Sequence, residues 1–146
     1  MKTQVINSIQ SETFMPEKHT IIIRITSNES FAVLQNRSAF QDVLELRFDD
    51  ISDTHPKEDS MLYGAMTKEQ FWEIVEFINR NKNTGISMII HCDAGQSRSP
   101  AIAISVLDYL LEEQTQAQDL IRINTHWKPN SFVTSFFRTA YYNREI

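Results

Sequence analysis

Apolar positions along the chain fall into blocks that switch between two periods. The segment Thr20-Ile21-Ile22-Ile23-Arg24-Ile25-Thr26 is β-branched and mostly apolar, and Val43-Leu44-Glu45-Leu46-Arg47-Phe48 alternates apolar with polar. Both patterns predict strands. A third strand is expected at Ile86-Ser87-Met88-Ile89-Ile90, running straight into His91-Cys92, with a short fourth at Gln4-Val5-Ile6. Between these the period changes. Thr67-Lys68-Glu69-Gln70 fits a capping box, and Phe71, Ile74, Val75 and Ile78 follow at the spacing of one helix face, which predicts an amphipathic helix ending near Asn83-Thr84-Gly85.

From Ser99 to Leu111 the chain is apolar nearly all round, as in a helix enclosed on every side, and this segment is expected at the centre against the sheet. Thr115 with Gln118 predicts a further capped helix through about Ile123. Asn130 is expected to cap a last helix whose Phe132, Val133, Phe136, Phe137 and Ala140 form a buried stripe of core residues. Strands alternating with helices predict an α/β fold: a central, mostly parallel sheet of four to five strands flanked by helices. In such sheets ligands bind beyond the carboxyl ends of the strands, and Cys92 stands at such an end.

Composition narrows the picture. The chain of 146 residues has no repeat, low-complexity stretch or Pro/Gly-rich linker, so residues 1–146 are expected to form a single domain. A net charge of −5 provides no global field toward nucleic acid or anionic lipid, so any anion site must be local. The N-terminus lacks the pattern of a signal peptide and no apolar run approaches membrane-spanning length, which predicts a cytoplasmic protein without membrane attachment, read here as a monomer. His19, His55 and His126 lack ligand spacing, and no metal or other cofactor is expected. Cys92 is the one cysteine, which excludes an internal disulfide and a cysteine-rich metal cluster and leaves a buried apolar thiol or a reactive thiolate.

Its neighbours favour the thiolate. His91-Cys92-Asp93-Ala94-Gly95-Gln96-Ser97-Arg98-Ser99 lies between a predicted strand and the predicted central helix. Five residues between a cysteine and an arginine let the chain curl so that successive N–H groups point inward, an anion nest at a helix N-terminus. Asp93, Ala94, Gly95, Gln96, Ser97 and Arg98 are thus the expected phosphate-binding residues. The same groups favour the ionised, nucleophilic form of a cysteine. The Arg98 guanidinium can grip two phosphate oxygens as charge develops on them, which a lysine reproduces poorly. Gly95 suits a point of positive φ or close approach, and the Ser99 hydroxyl can stabilise a departing thiolate.

Here the sequence resembles the protein tyrosine phosphatase superfamily, whose signature is His-Cys, five residues, Arg, then Ser or Thr; His91, Cys92, Arg98 and Ser99 fill it. The resemblance is closest to the compact dual-specificity type and its bacterial, archaeal or viral relatives, and is supported by Ser99-Pro100-Ala101 and by Lys128-Pro129-Asn130-Ser131-Phe132 before the final helix. It covers the chain from Leu44 to Phe137. It implies a cysteine-dependent phosphatase working through a phosphocysteine intermediate on phosphotyrosine, and on phosphoserine or phosphothreonine, in proteins or peptides. It also implies an aspartic acid on a preceding loop that protonates the leaving oxygen and later activates water. Asp49, Asp50, Asp53 and Asp59 are available, and Leu-Arg-Phe-Asp-Asp at the strand end selects Asp50. In the family the histidine of the signature supports the loop and tunes the cysteine, a role that falls to His91.

Other readings use the same loop. Lipid-directed relatives place lysines inside it, where this chain has Asp93, Ala94, Gln96 and Ser97; cysteine-based arsenate reductases relay through further cysteines, which are absent. A non-catalytic phospho-residue-binding module is the alternative from another class, although both Cys92 and Arg98 stand. An RNA 5′-phosphatase is a third, disfavoured by the acidic balance.

Overall fold

The computed structural model describes residues 2–82 and 85–143. The elements are β1 (Lys2–Asn7), α1 (Ser8–Thr13), β2 (Thr20–Thr26), β3 (Asp42–Arg47), α2 (Lys68–Asn81), β4 (Ser87–Cys92), α3 (Arg98–Ser105), α4 (Gln114–Ile123) and α5 (Ser131–Tyr142). The four strands form one sheet in the order β1-β4-β2-β3, with every pair parallel. A parallel sheet covered on both faces needs apolar side chains on both, which is why β2 reads as a nearly unbroken run and is buried along its whole length. Edge strand β3 is only partly buried and keeps its alternation.

Alternate residues divide between the two faces. Ile21, Ile23 and Ile25 of β2 and Met88, Ile90 and Cys92 of β4 belong to the large core, with Phe71, Ile74, Phe77 and Ile78 of α2, Ala101, Ile102 and Ala103 of α3, and Val133 and Phe137 of α5. Each isoleucine, valine, methionine or phenylalanine among them contributes about 1.5–3 kcal/mol by leaving water. Ile22 and Ile89 face the opposite way, into a smaller core with Ile6, Leu34 and Phe40 against which Phe14 packs. α3 is buried at every position from Arg98 to Ser105, so the predicted central helix is the element that carries the loop after Cys92.

Several boundaries differ from the sequence expectations for identifiable reasons. Thr67 caps α2 in a reciprocal capping box with Gln70, but the helix ends at Asn81; Asn83 and Thr84 of the expected end lie outside the described residues. The central helix closes in a π-turn over Val106–Leu110, and Glu112 then adopts φ 53° while Glu113 N–H donates to Leu107 O at 2.7 Å. That reversal starts α4 at Gln114 with Glu113 as its cap residue, so Thr115 lies inside the helix and does not cap it. Asn130 does cap α5, accepting from Val133 N–H at 3.0 Å, but only Val133 and Phe137 of its stripe are fully buried. Phe136 and Ala140 pack at the core's margin, and Phe132 stacks on Phe136. The short helix α1, capped by Asn7 and Gln10, carries too few apolar residues to show a period. Among the described residues no helix is long and apolar enough to cross a membrane.

Candidate active site

β4 ends at Cys92, and residues 93–97 turn back into α3, whose first residue is Arg98. Gly95 makes this turn possible: it adopts φ 73°, and a Cβ there would lie 2.9 Å from the Ile6 carbonyl oxygen and 3.2 Å from Asn7 N. The loop therefore presses on the end of β1, and Ser8 N–H at the start of α1 donates to Asp93 O at 3.3 Å. Two polar groups converge on the sulfur. Gly95 N–H lies 3.2 Å from Cys92 Sγ, and the fully buried Ser99 hydroxyl lies 3.1 Å from it. The backbone N–H groups of Ala94, Gln96 and Ser97 have no hydrogen-bond partner among the described residues, as expected of a nest built for an anion.

Arg98 is 5% exposed and held by three elements at once. Nη1 donates to Ser27 Oγ and to Phe48 O, both at 2.7 Å, and Nη2 donates to Asp93 Oδ2 at 3.0 Å. Nε has no partner among the described residues, although it is buried. Of five guanidinium donors three are thus engaged, and Nε–H with one Nη2–H remains.

The four candidate acids separate cleanly. Asp49 is 2% exposed, and its Oδ2 accepts from Tyr63 N–H at 2.9 Å and Gly64 N–H at 2.8 Å, so it pins the loop after β3. Asp53 and Asp59 are exposed and do not line the cleft that holds Cys92. Asp50 lines that cleft; its Oδ1 accepts from Ser97 Oγ and from Asn130 Nδ2, both at 2.7 Å.

Behind the loop, His91 is buried on the opposite face of the sheet from Cys92. Its Nε2 accepts from Arg24 Nε at 3.0 Å, and Nδ1 lies 3.5 Å from Cys92 O. Arginine only donates, so this contact assigns the neutral tautomer with the proton on Nδ1. Burial first, and then the Arg24 guanidinium, push the His91 pKa down from 6.5 to about 4. Arg24 is itself anchored by Glu45 at 2.8 Å and by the Ala32 carbonyl. His91 is thus a buried strut that does not reach the cleft.

The cleft has a volume of about 610 Å³. Its floor is Cys92, Asp93, Ala94, Gln96, Ser97 and Arg98; Asp50, Ser52, Thr54 and His55 form one wall, and Lys128, Pro129, Asn130 and Ser131 the other. All the residues expected around the phosphate come together here except Gly95 and Ser99, which underlie it. Ser27, the Phe48 carbonyl and the second role of Asn130 escaped the sequence reading. Ser27 had one usable signal, since it follows the carboxyl end of a parallel strand. Among the described residues no three His, Cys, Asp or Glu side chains converge as a metal site.

No protein-family model matches the sequence, and none of the curated proteins does. Solved structures do match. Human tyrosine phosphatase-like serine/threonine/tyrosine-interacting protein superposes with a TM-score of 0.60 at 20% identity, over 87% of this chain and 79% of that one. Tk-PTP in its active form gives 0.63 at 14% identity, over 97% and 90%. PTPMT1 in complex with PI(5)P gives 0.56 at 15% identity, over 99% and 92%. The chain therefore has the fold of the compact dual-specificity and protein tyrosine phosphatases, with its Cys92–Arg98 loop at the carboxyl end of the sheet.

Proposed function

We propose that this protein is a cysteine-dependent phosphatase that hydrolyses phosphate monoesters, with phosphotyrosine and phosphoserine or phosphothreonine in proteins or peptides as substrates. The observation that carries the reading is the convergence of Cys92, Arg98 and Asp50 on one cleft, above the Ala94, Gln96 and Ser97 N–H groups, which have no partner among the described residues.

In the first step the Cys92 thiolate attacks phosphorus in line with the leaving oxygen. The S–P bond forms as the P–O bond breaks, and Asp50 gives its proton to the departing oxygen. The loop N–H groups and the free Nε/Nη2 edge of Arg98 hold the equatorial oxygens, where charge is greatest in the transition state. In the second step Asp50, now a carboxylate, takes a proton from water as the water attacks phosphorus. The S–P bond breaks, and the Ser99 hydroxyl, 3.1 Å away, donates to the returning thiolate. Inorganic phosphate leaves and the enzyme is restored. The buried, neutral His91 transfers no proton in this cycle.

The similarity to a protein whose name describes it as phosphatase-like and interacting supports one rival, a non-catalytic module that binds phosphorylated residues. Steady-state hydrolysis of paired phosphotyrosine and phosphothreonine peptides, with Cys92→Ser as the blank, decides between them. Turnover by the wild type that the blank lacks supports the enzyme, and binding without turnover supports the module.

A further inference from the structure

The loop contains a carboxylate at a place where one is electrostatically costly. Asp93 directly follows the nucleophile, in a cleft whose proposed ligand is a phosphate dianion. A carboxylate there repels the ligand and weakens ground-state binding, so its side chain needs a compensating contact. That contact is Arg98. Asp93 Oδ2 lies 3.0 Å from Arg98 Nη2, while Oδ1 accepts from Thr26 Oγ1 at 3.0 Å. Thr26 Oγ1 is braced in turn by Asn28 N–H at 3.1 Å. On the other side of the guanidinium, Ser27 Oγ and Phe48 O take both Nη1 protons.

We propose that Asp93 is a positioning residue that, together with Thr26 and Ser27 at the end of β2, locks Arg98 so that its Nε/Nη2 edge faces the phosphate before substrate arrives. Both Nη1 protons and one Nη2 proton of Arg98 are engaged, and the buried Nε has no partner among the described residues, so the lock orients the side chain and leaves open the edge that substrate needs. Asp93 acts through Arg98 and touches no reacting atom. Its charge weakens ground-state binding of a dianion, while the orientation it imposes favours the equatorial oxygens of a transition state; the two effects have opposite signs for the two states.

That difference is measurable without turnover, so the proposal, which rests on the phosphatase reading for the identity of its anion, can fail separately from it. Binding of inorganic phosphate and of orthovanadate, which mimics the five-coordinate phosphorus, is measured by calorimetry on wild type, Asp93→Ala, Asp93→Asn, Arg98→Ala and the Asp93→Ala/Arg98→Ala pair. Asp93→Ala is expected to weaken orthovanadate at least about tenfold while phosphate changes by less than about threefold. Asp93→Asn, whose amide oxygen can still accept from Arg98 while its nitrogen reaches Thr26, is expected to keep orthovanadate within about threefold of wild type. In the Arg98→Ala background the Asp93 effect should vanish. Orthovanadate binding by Asp93→Ala within about twofold of wild type, or a full Asp93 effect in the absence of Arg98, overturns the lock. Should Asp93→Ala not fold, Asp93→Ser, which is too short to reach Arg98, is read by the same criteria. Wild type that binds neither anion overturns the lock together with the phosphatase reading, whereas wild type that binds both without turning over substrate removes only the latter.

Discussion

Asn130 Nδ2 lies 2.7 Å from Asp50 Oδ1. The same side chain donates to Ile51 O and, through its oxygen, caps α5, while its backbone N–H bonds to Ser97 O at 3.0 Å. One residue thereby joins the Cys92–Arg98 loop, the candidate acid and the last helix. Asn130→Ser separates the roles, because a hydroxyl still caps the helix but is too short to donate to Asp50. Its melting temperature should stay near that of wild type while the maximal rate falls roughly tenfold through misorientation of the acid. Equal loss of rate and stability would mean that Asn130 serves only the helix.

Asp50→Asn should lower the maximal rate by roughly 10²–10⁴ on phosphopeptides with poor leaving groups, and less on an aryl phosphate with an acidic leaving group. Asp53→Asn should behave as wild type, since Asp53 is exposed and outside the cleft. Rate profiles of the two variants side by side check the assignment, and a collapse in Asp53→Asn alone would move the acid.

Gly95→Ala should cost more stability than Gly85→Ala. Both glycines have positive φ, but the added Cβ meets nothing within 4 Å at Gly85 and the Ile6 carbonyl at 2.9 Å at Gly95. Strain alone costs about 1–2 kcal/mol, so Gly85→Ala should lose about that and Gly95→Ala more, with displacement of the N–H that faces Cys92 Sγ. Urea unfolding of both variants measures the difference, and equal losses would mean that the loop does not rest on β1.

How much of this could be read from the sequence follows from the range of each interaction. β2, β3, β4 and α2 announce themselves because their unbroken or periodic apolar patterns extend over several consecutive positions, and the Cys92–Arg98 loop because its spacing is local. The partners of Arg98 come from Ser27 and Phe48, which are 71 and 50 residues away in the chain, and no local pattern records such a meeting. Asp49 and Asp50 look alike in the sequence; only the fold turns one toward Gly64 N–H and the other toward Asn130. The start of α4 was misplaced by the left-handed conformation of Glu112, a residue with no propensity for it.

Stability should fall between about pH 6.5 and about pH 4 because of His91. Its folded pKa is pushed down from 6.5 to about 4, so in this window the unfolded chain binds a proton that the folded protein refuses. The contribution is fully present above the unfolded value and is lost as pH falls, by up to about 3 kcal/mol. Protonation would also set Nε2–H against Arg24 Nε–H, 3.0 Å away. His91→Asn, which can still accept from Arg24 but does not titrate, should flatten this part of the curve in denaturation from about pH 7 to about pH 4.5. An unchanged slope would assign the acid sensitivity to other groups.

The central claim is that the phosphoryl group passes through Cys92. During turnover of a phosphopeptide the protein is quenched in acid, digested and examined by mass spectrometry, using Asp50→Asn to slow hydrolysis of the intermediate. The account predicts a phosphorylated peptide containing Cys92, absent from Cys92→Ser, which should retain the fold and no turnover. Steady turnover by Cys92→Ser, or phosphopeptide hydrolysis without a phosphorylated Cys92 in the slowed variant, would contradict it.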